Sequence, residues 1–190
     1  MGIIKQNTEE LNIKCPINYD IYQGIIFGIK TDLVIEIETN KGDGALCIAG
    51  LEEIVGKGIV HTIDINNKEE TIIKDHKCIK CFFYGYANYD LSINKNFEKI
   101  MIIENASHYY IDSLNCLKKI GIIIIKGSFY IVEDGIINKL KFRKAYNGWP
   151  LKVINEFLET SNQFINDIQW CGFYKSIATC NINGYLLKIK

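Results

Sequence analysis

The run Leu33-Val34-Ile35-Glu36-Ile37 is apolar, rich in β-branched residues and too short for a helix of its own. It stops at a polar stretch containing Gly42 and Gly44, and a second apolar segment follows from Ala45 to Val55. The pattern predicts a buried strand, a tight loop and a helix. Ahead of it, apolar residues at positions 21, 22, 25, 26 and 29 recur at helical spacing, which predicts a helix through residues 15–29. Downstream the same reading gives strands at 59–65, 78–84, 99–104 and 128–134, a short helix within 66–77, and helices from Tyr109 to Lys119 and from Leu151 to Leu158. The tail reads as strands Gly172–Ile177 and Tyr185–Ile189 joined around Asn181-Ile182-Asn183-Gly184, a hairpin signal. Strands that alternate with helices imply an α/β fold: a mainly parallel sheet covered on both faces, closed by an antiparallel C-terminal hairpin. The expected organisation is a loose lead-in over residues 1–14 and a single domain over 15–190.

Composition narrows the function classes. Lys plus Arg and Asp plus Glu number 22 each, so the chain has no electrostatic footprint for nucleic acid or an anionic membrane. No stretch approaches the length of a membrane span, and the first residues lack the order of a secretory signal, so a cytoplasmic protein is expected. Seven cysteines, an odd number, point to reduced thiols rather than a disulfide framework. His76, Cys78 and Cys81 have a superficial likeness to metal ligands. Placed on one strand, the two cysteines would face opposite sides of the sheet, which argues against zinc.

Candidate chemistry gathers at predicted strand ends. A loop between strand and helix aims backbone N–H groups and the positive end of a helix dipole at whatever lies above it, which suits an anionic or nucleotide-like ligand; an ordinary βα turn is the alternative. Asp64 ends the second strand about 20 residues beyond the loop glycines, where a ribose is often held, although a carboxylate there can also cap the next segment. Glu133 and Asp134 leave the fifth strand together and could hold a divalent cation, serve a base or simply solvate the loop. Residues 136–149 form a basic excursion of the kind used as a lid. Tyr19, Tyr22, Tyr109, Tyr110, Tyr146 and Trp149 could line a pocket or pack in the core.

Several segments, in this order and spacing, resemble one family of class I S-adenosylmethionine-dependent methyltransferases, the group named cephalosporin hydroxylase that includes rhamnosyl O-methyltransferases. They are Cys15-Pro16 with Tyr22-Gln23, Asp32 to Glu36 with Thr39 and Gly42, Gly58 to Asp64, His108, Gly127 to Asp134, Glu156-Phe157-Leu158 and Asn183 to Lys188. The resemblance implies a Rossmann-like three-layer sandwich with a seven-stranded sheet, and transfer of a methyl group from S-adenosylmethionine to a hydroxyl of a small molecule or sugar. It implies that Glu36, Thr39 and Gly42 hold the methionine end of the cofactor, that Asp64 takes the ribose, and that Glu133 and Asp134 hold magnesium. His108, after the fourth strand, is the candidate base, or else a helix-start histidine bonding backbone.

Four positions depart from the family pattern. Glu38 stands where a loop glycine is expected, Asp43 replaces a second glycine, Gly85 is followed by Tyr86 rather than an aspartate, and Asn105 takes the place of a metal-binding aspartate. Glu38 could pair with the cofactor's ammonium group, and Gly85 stays among the candidate cofactor contacts. A non-catalytic protein that keeps the fold as a binding or scaffold module is the alternative. A homo-oligomeric state is left open.

Overall fold

The computed structural model describes residues 16–66, 71–105, 107, 109–139, 150–172 and 179–190. In chain order the main elements are α1 (Pro16–Ile29), β1 (Leu33–Ile37), α2 (Asp43–Val55), β2 (Ile59–Ile63), α3 (Thr71–Lys74) and β3 (Ile79–Phe82). They continue with β4 (Ile100–Glu104), α4 (Tyr110–Ile120), β5 (Phe129–Val132), α5 (Leu151–Thr160), β6 (Phe164–Asn166) and β7 (Tyr185–Lys188). The seven strands form one sheet in the order β3-β2-β1-β4-β5-β7-β6, with β7 antiparallel to both of its neighbours and the other pairs parallel.

Period-two alternation divides the sheet's side chains between two cores. Val34, Val60, Met101, Ile103 and Ile131 face Ile21, Ile25 and Ile26 of α1 and Ala45, Ile48 and Ala49 of α2. Leu33, Ile35, Ile102 and Val132 face Leu117 and Ile120 of α4 and Val153, Ile154 and Phe157 of α5. All five residues of β1 are buried, as a central parallel strand covered on both faces requires.

The closing antiparallel pair is β6 at 164–166 with β7, and the strand expected at 172–177 lies, beyond Gly172, outside the described residues. Three residues carry too little alternation to stand out from the helix before them. Residues 173–178 lie outside the described residues, as do the lead-in to residue 15 and positions 140–149 of the basic excursion. Among the described residues no helix is long and apolar enough to cross a membrane.

Candidate functional site

The strand order reverses between β1 and β4, since the chain adds strands on one side of β1 and then on the other. In open α/β sheets a crevice forms at such a point, beyond the carboxyl ends of the strands. A cleft lies there, lined from the β1 side by Glu36, Glu38, Thr39 and Gly42, from β4 by Asn105, and from α1 by Tyr19.

The loop is shaped by its own hydrogen bonds. Gly42 N–H donates to Thr39 O at 2.8 Å, and Leu46 N–H donates to Gly42 O at 2.9 Å as α2 begins. Gly42 has φ 97°, and a Cβ added there would fall 1.7 Å from Ile73 Cδ1, so both backbone and packing demand glycine. Glu38 has φ 84° with a side chain on its Cβ, a conformation that L residues rarely adopt. Its N–H donates to Ile63 O at 2.8 Å, which fixes it between the ends of β1 and β2.

Glu36 is buried on the α1–α2 face of the sheet. Thr62 Oγ1 donates to Glu36 Oε2 at 2.9 Å, and the Thr62 and Thr39 hydroxyls lie 2.7 Å apart, so a short polar chain runs from the carboxylate to the loop. Asp64, half-buried, accepts Asn40 N–H on Oδ2 and Asn66 N–H on Oδ1, each at 2.9 Å. The strand-two acid therefore ties the β1–α2 loop to the β2 exit, and each oxygen keeps a second lone pair. Gly85 N–H donates to the Asp64 backbone carbonyl at 3.0 Å, which ties the chain after β3 to the exit of β2.

The structure separates the two acids that follow β5. Glu133 continues the face of Ile131 and turns toward α1, where it accepts the Tyr22 hydroxyl proton. Asn181 Nδ2 donates to Tyr22 Oη at 2.9 Å, its Oδ1 accepts Asp134 N–H at 3.0 Å and Asn18 Nδ2 at 3.1 Å, and Thr179 Oγ1 donates to Asn18 Oδ1 at 2.8 Å. Tyr22, Asn18, Thr179, Asn181 and Glu133 are all nearly inaccessible to solvent. Burial and the neighbouring Glu133 push the Tyr22 phenol well above its ordinary pKa, so it stays a donor. Asp134 is only half-buried and has φ 59°. Sequence reading missed this network, although Asn18 and Tyr22, four apart on the apolar face of α1, were its signal.

Asn105 follows β4, with N–H to Ile37 O at 3.2 Å, and its buried Oδ1 finds no partner among the described residues. Glu104, one residue earlier, faces the other core and accepts Ser113 Oγ at 3.1 Å. His108 lies outside the described residues. Of the aromatic candidates, Tyr19 lines the cleft, Tyr22 is core, Tyr109 is exposed, and Tyr110 donates its hydroxyl to Glu156. Tyr146 and Trp149 lie outside the described residues.

Comparison with known folds places this sheet among methyltransferases. The apo structure of CmcI superposes with a TM-score of 0.68 at 17% identity, covering 93% of this chain and 72% of that one. A CmcI structure described with Mg and SAM gives 0.66 at 14% identity, covering 93% and 73%. The O-methyltransferase TomG from Streptomyces achromogenes, involved in tomaymycin synthesis and solved in complex with SAM, gives 0.62 at 10% identity, covering 96% and 83%. A sequence search of curated proteins gives no match. The family model for rhamnosyl O-methyltransferase/CmcI matches residues 8–189. The chain therefore belongs to the rhamnosyl O-methyltransferase/CmcI family of S-adenosylmethionine-dependent O-methyltransferases.

Proposed function

We propose that this protein transfers a methyl group from S-adenosylmethionine to a hydroxyl of a small molecule or sugar, acting as one domain over residues 15–190. The observation that carries the reading is the cleft at the switch between β1 and β4, where Gly42 adopts a left-handed turn at the start of α2. The residues present fit a cationic cofactor: Glu36, Glu38 and Asp43 outnumber Lys41 on the walls. When bound, the cofactor supplies an electrophilic sulfonium methyl. The chain's share is placement: Glu38 receives the ammonium group, Gly42 holds the left-handed turn that shapes the loop, Asp64 accepts a ribose hydroxyl on a remaining lone pair, and Gly85 contacts the cofactor from the end of β3. His108 takes the acceptor's proton.

Magnesium suits the oxygen donors at the ends of β4 and β5, where Asn105 Oδ1 is buried and without a partner among the described residues. Asn105 and Asp134 would hold the ion with Glu133 behind them, and the ion would lower the cost of deprotonating a hydroxyl. The set has one negative charge fewer than an aspartate at position 105 would give. Asn105→Asp is expected to tighten magnesium binding by about tenfold or more, because it adds a charged ligand where a neutral amide stands. Unchanged magnesium affinity in a folded Asn105→Asp protein would remove position 105 from the metal site.

The direct test is calorimetric titration with S-adenosylmethionine and S-adenosylhomocysteine, with and without magnesium. Saturable binding in the micromolar range, about −8 kcal/mol, is expected. His108→Ala should keep that affinity and lose turnover. A folded sample that binds neither compound would support the binding-module reading instead.

A further inference from the structure

Glu53, in the last turn of α2, comes together with His76 and Cys78, which lie in the connection between α3 and β3. One ligand atom from each, a carboxylate oxygen, an imidazole nitrogen and a thiol sulfur, lies within 4.8 Å of the other two. We propose that Glu53, His76 and Cys78 form a site for a single zinc ion, clamping α2 to the edge strand of the sheet. The site is separate from the cofactor cleft. It sits at the far end of α2 from Gly42, about 16.5 Å away at 1.5 Å per residue.

The donor set selects the metal class. Thiolate and imidazole with one carboxylate is a borderline-soft combination that suits zinc and cobalt, and disfavours magnesium and calcium, which take oxygen. Three protein ligands leave a fourth tetrahedral position for water. The sequence alone concealed the trio. Alternation along a strand puts Cys78 opposite Cys81, but β3 begins at Ile79 and both cysteines pack against the same core, so Cys78 does not follow the strand's alternation. The third ligand comes from a helix more than twenty positions away in sequence, which no spacing pattern announces.

The backbone that carries the ligands is held in place. His76 N–H donates to Ile73 O at 3.3 Å, Ile79 N–H to His76 O at 3.0 Å, and Val60 N–H to Cys78 O at 2.7 Å, so the connection is pinned to α3 and to β2. His76 Nδ1 accepts Cys78 N–H at 3.2 Å and therefore presents a lone pair, not a proton, toward Cys78. Cys78 Sγ lies 3.8 Å from Glu53 Oε1. All three side chains reach solvent to some degree, so an ion can enter.

Coordination requires defined exchanges. The Nδ1 lone pair passes from Cys78 N–H to the metal, the Cys78 thiol proton leaves to solvent as the metal–sulfur bond forms, and Glu53 gives up its 3.1 Å ion pair with Lys77. That pair is exposed on both sides and contributes little to stability, so its loss is a small opposing term. The ligand atoms must also draw together by roughly 1 Å to reach zinc bond lengths of about 2.0–2.3 Å, a movement that exposed side chains make readily.

The experiment is titration of the reduced protein with cobalt(II) under anaerobic conditions, followed by displacement with zinc(II). Expected is one equivalent per chain, tetrahedral d–d absorption, a thiolate-to-cobalt charge-transfer band, and bleaching of both by zinc. Cys78→Ser should abolish the charge-transfer band, His76→Ala and Glu53→Gln should each weaken binding by about tenfold or more, and Cys81→Ser should change none of these. A spectrum of octahedral cobalt without the thiolate band would overturn the proposal, as would a band that survives in Cys78→Ser or no saturable binding at micromolar cobalt.

Discussion

Glu52→Gln is expected to make folding stability climb more steeply with pH between pH 4.5 and pH 6.5 than it does in the native protein. Two buried groups contribute slopes of opposite sign over that window. Glu52, fully buried on α2, accepts the Thr31 hydroxyl on Oε1, while Oε2 has no partner among the described residues. It is walled by Gly58, where a Cβ would lie 2.1 Å from that oxygen. Burial raises its pKa to about 7. His61, fully buried on β2, shares a hydrogen bond with the Tyr89 hydroxyl and packs against the rings of Phe82 and Phe97. Burial lowers its pKa to about 4.

The signs follow from proton counts. Between its unfolded pKa of about 4.5 and its folded value near 7, Glu52 binds more protons in the folded state, so its contribution falls as pH rises, by about 3 kcal/mol in all. Between its folded value near 4 and an unfolded value of about 6.5, His61 binds fewer protons in the folded state, so its contribution rises with pH by a similar amount of about 3 kcal/mol. Across pH 4.5–6.5 the slopes oppose each other and nearly cancel. Glutamine at position 52 removes the falling slope and leaves the histidine's rise exposed. His61→Gln, which keeps a partner for Tyr89, does the reverse: stability then falls from pH 4.5 to pH 7. Urea unfolding at a series of pH values, with the slope m checked for constancy, measures both. If Glu52→Gln keeps the native profile, Glu52 does not titrate in that window.

The fold was readable because its signals are local and periodic. Of the short runs that became β1 to β5, β1, β4 and β5 are buried throughout, β2 all but at its first residue and the edge strand β3 only in part, and α1, α2, α4 and α5 each present an apolar face at helical spacing. The β6 strand escaped because three residues hold barely one alternation. The loop residues of the site were legible through Gly42 and the strand that precedes it, and the structure does bring Glu36, Glu38, Thr39, Gly42 and Asn105 to one cleft. What sequence could not give is direction across distance. Glu133 and Asp134 are neighbours in the chain, yet strand alternation turns the first into the network around Tyr22 and leaves the second half-exposed. In the same way Glu52 and Glu53 are adjacent on α2, and one is fully buried while the other lies on the surface beside His76 and Cys78.

Glu38→Gly is expected to stabilise the protein and to weaken its hold on S-adenosylmethionine. The two effects have separate causes. Glu38 has φ 84°, and a side chain in the left-handed region costs about 1–2 kcal/mol that glycine does not incur. Glycine adds unfolded-state freedom worth about 0.5–1 kcal/mol in the opposite direction, so the net gain is about 1 kcal/mol. Cofactor binding moves the other way if the Glu38 carboxylate receives the ammonium group at the cleft wall. Losing one charge-assisted hydrogen bond costs about 1.5–3 kcal/mol, a weakening of about ten- to a hundredfold. Denaturant unfolding and calorimetric titration of the same variant read the two effects independently. A gain in stability accompanied by tighter cofactor binding would show that the glutamate obstructs the site, and would move the balance toward a protein that keeps the methyltransferase fold for binding alone. A gain in stability accompanied by weaker binding would show that the backbone strain at this loop is held in place by what the carboxylate does there.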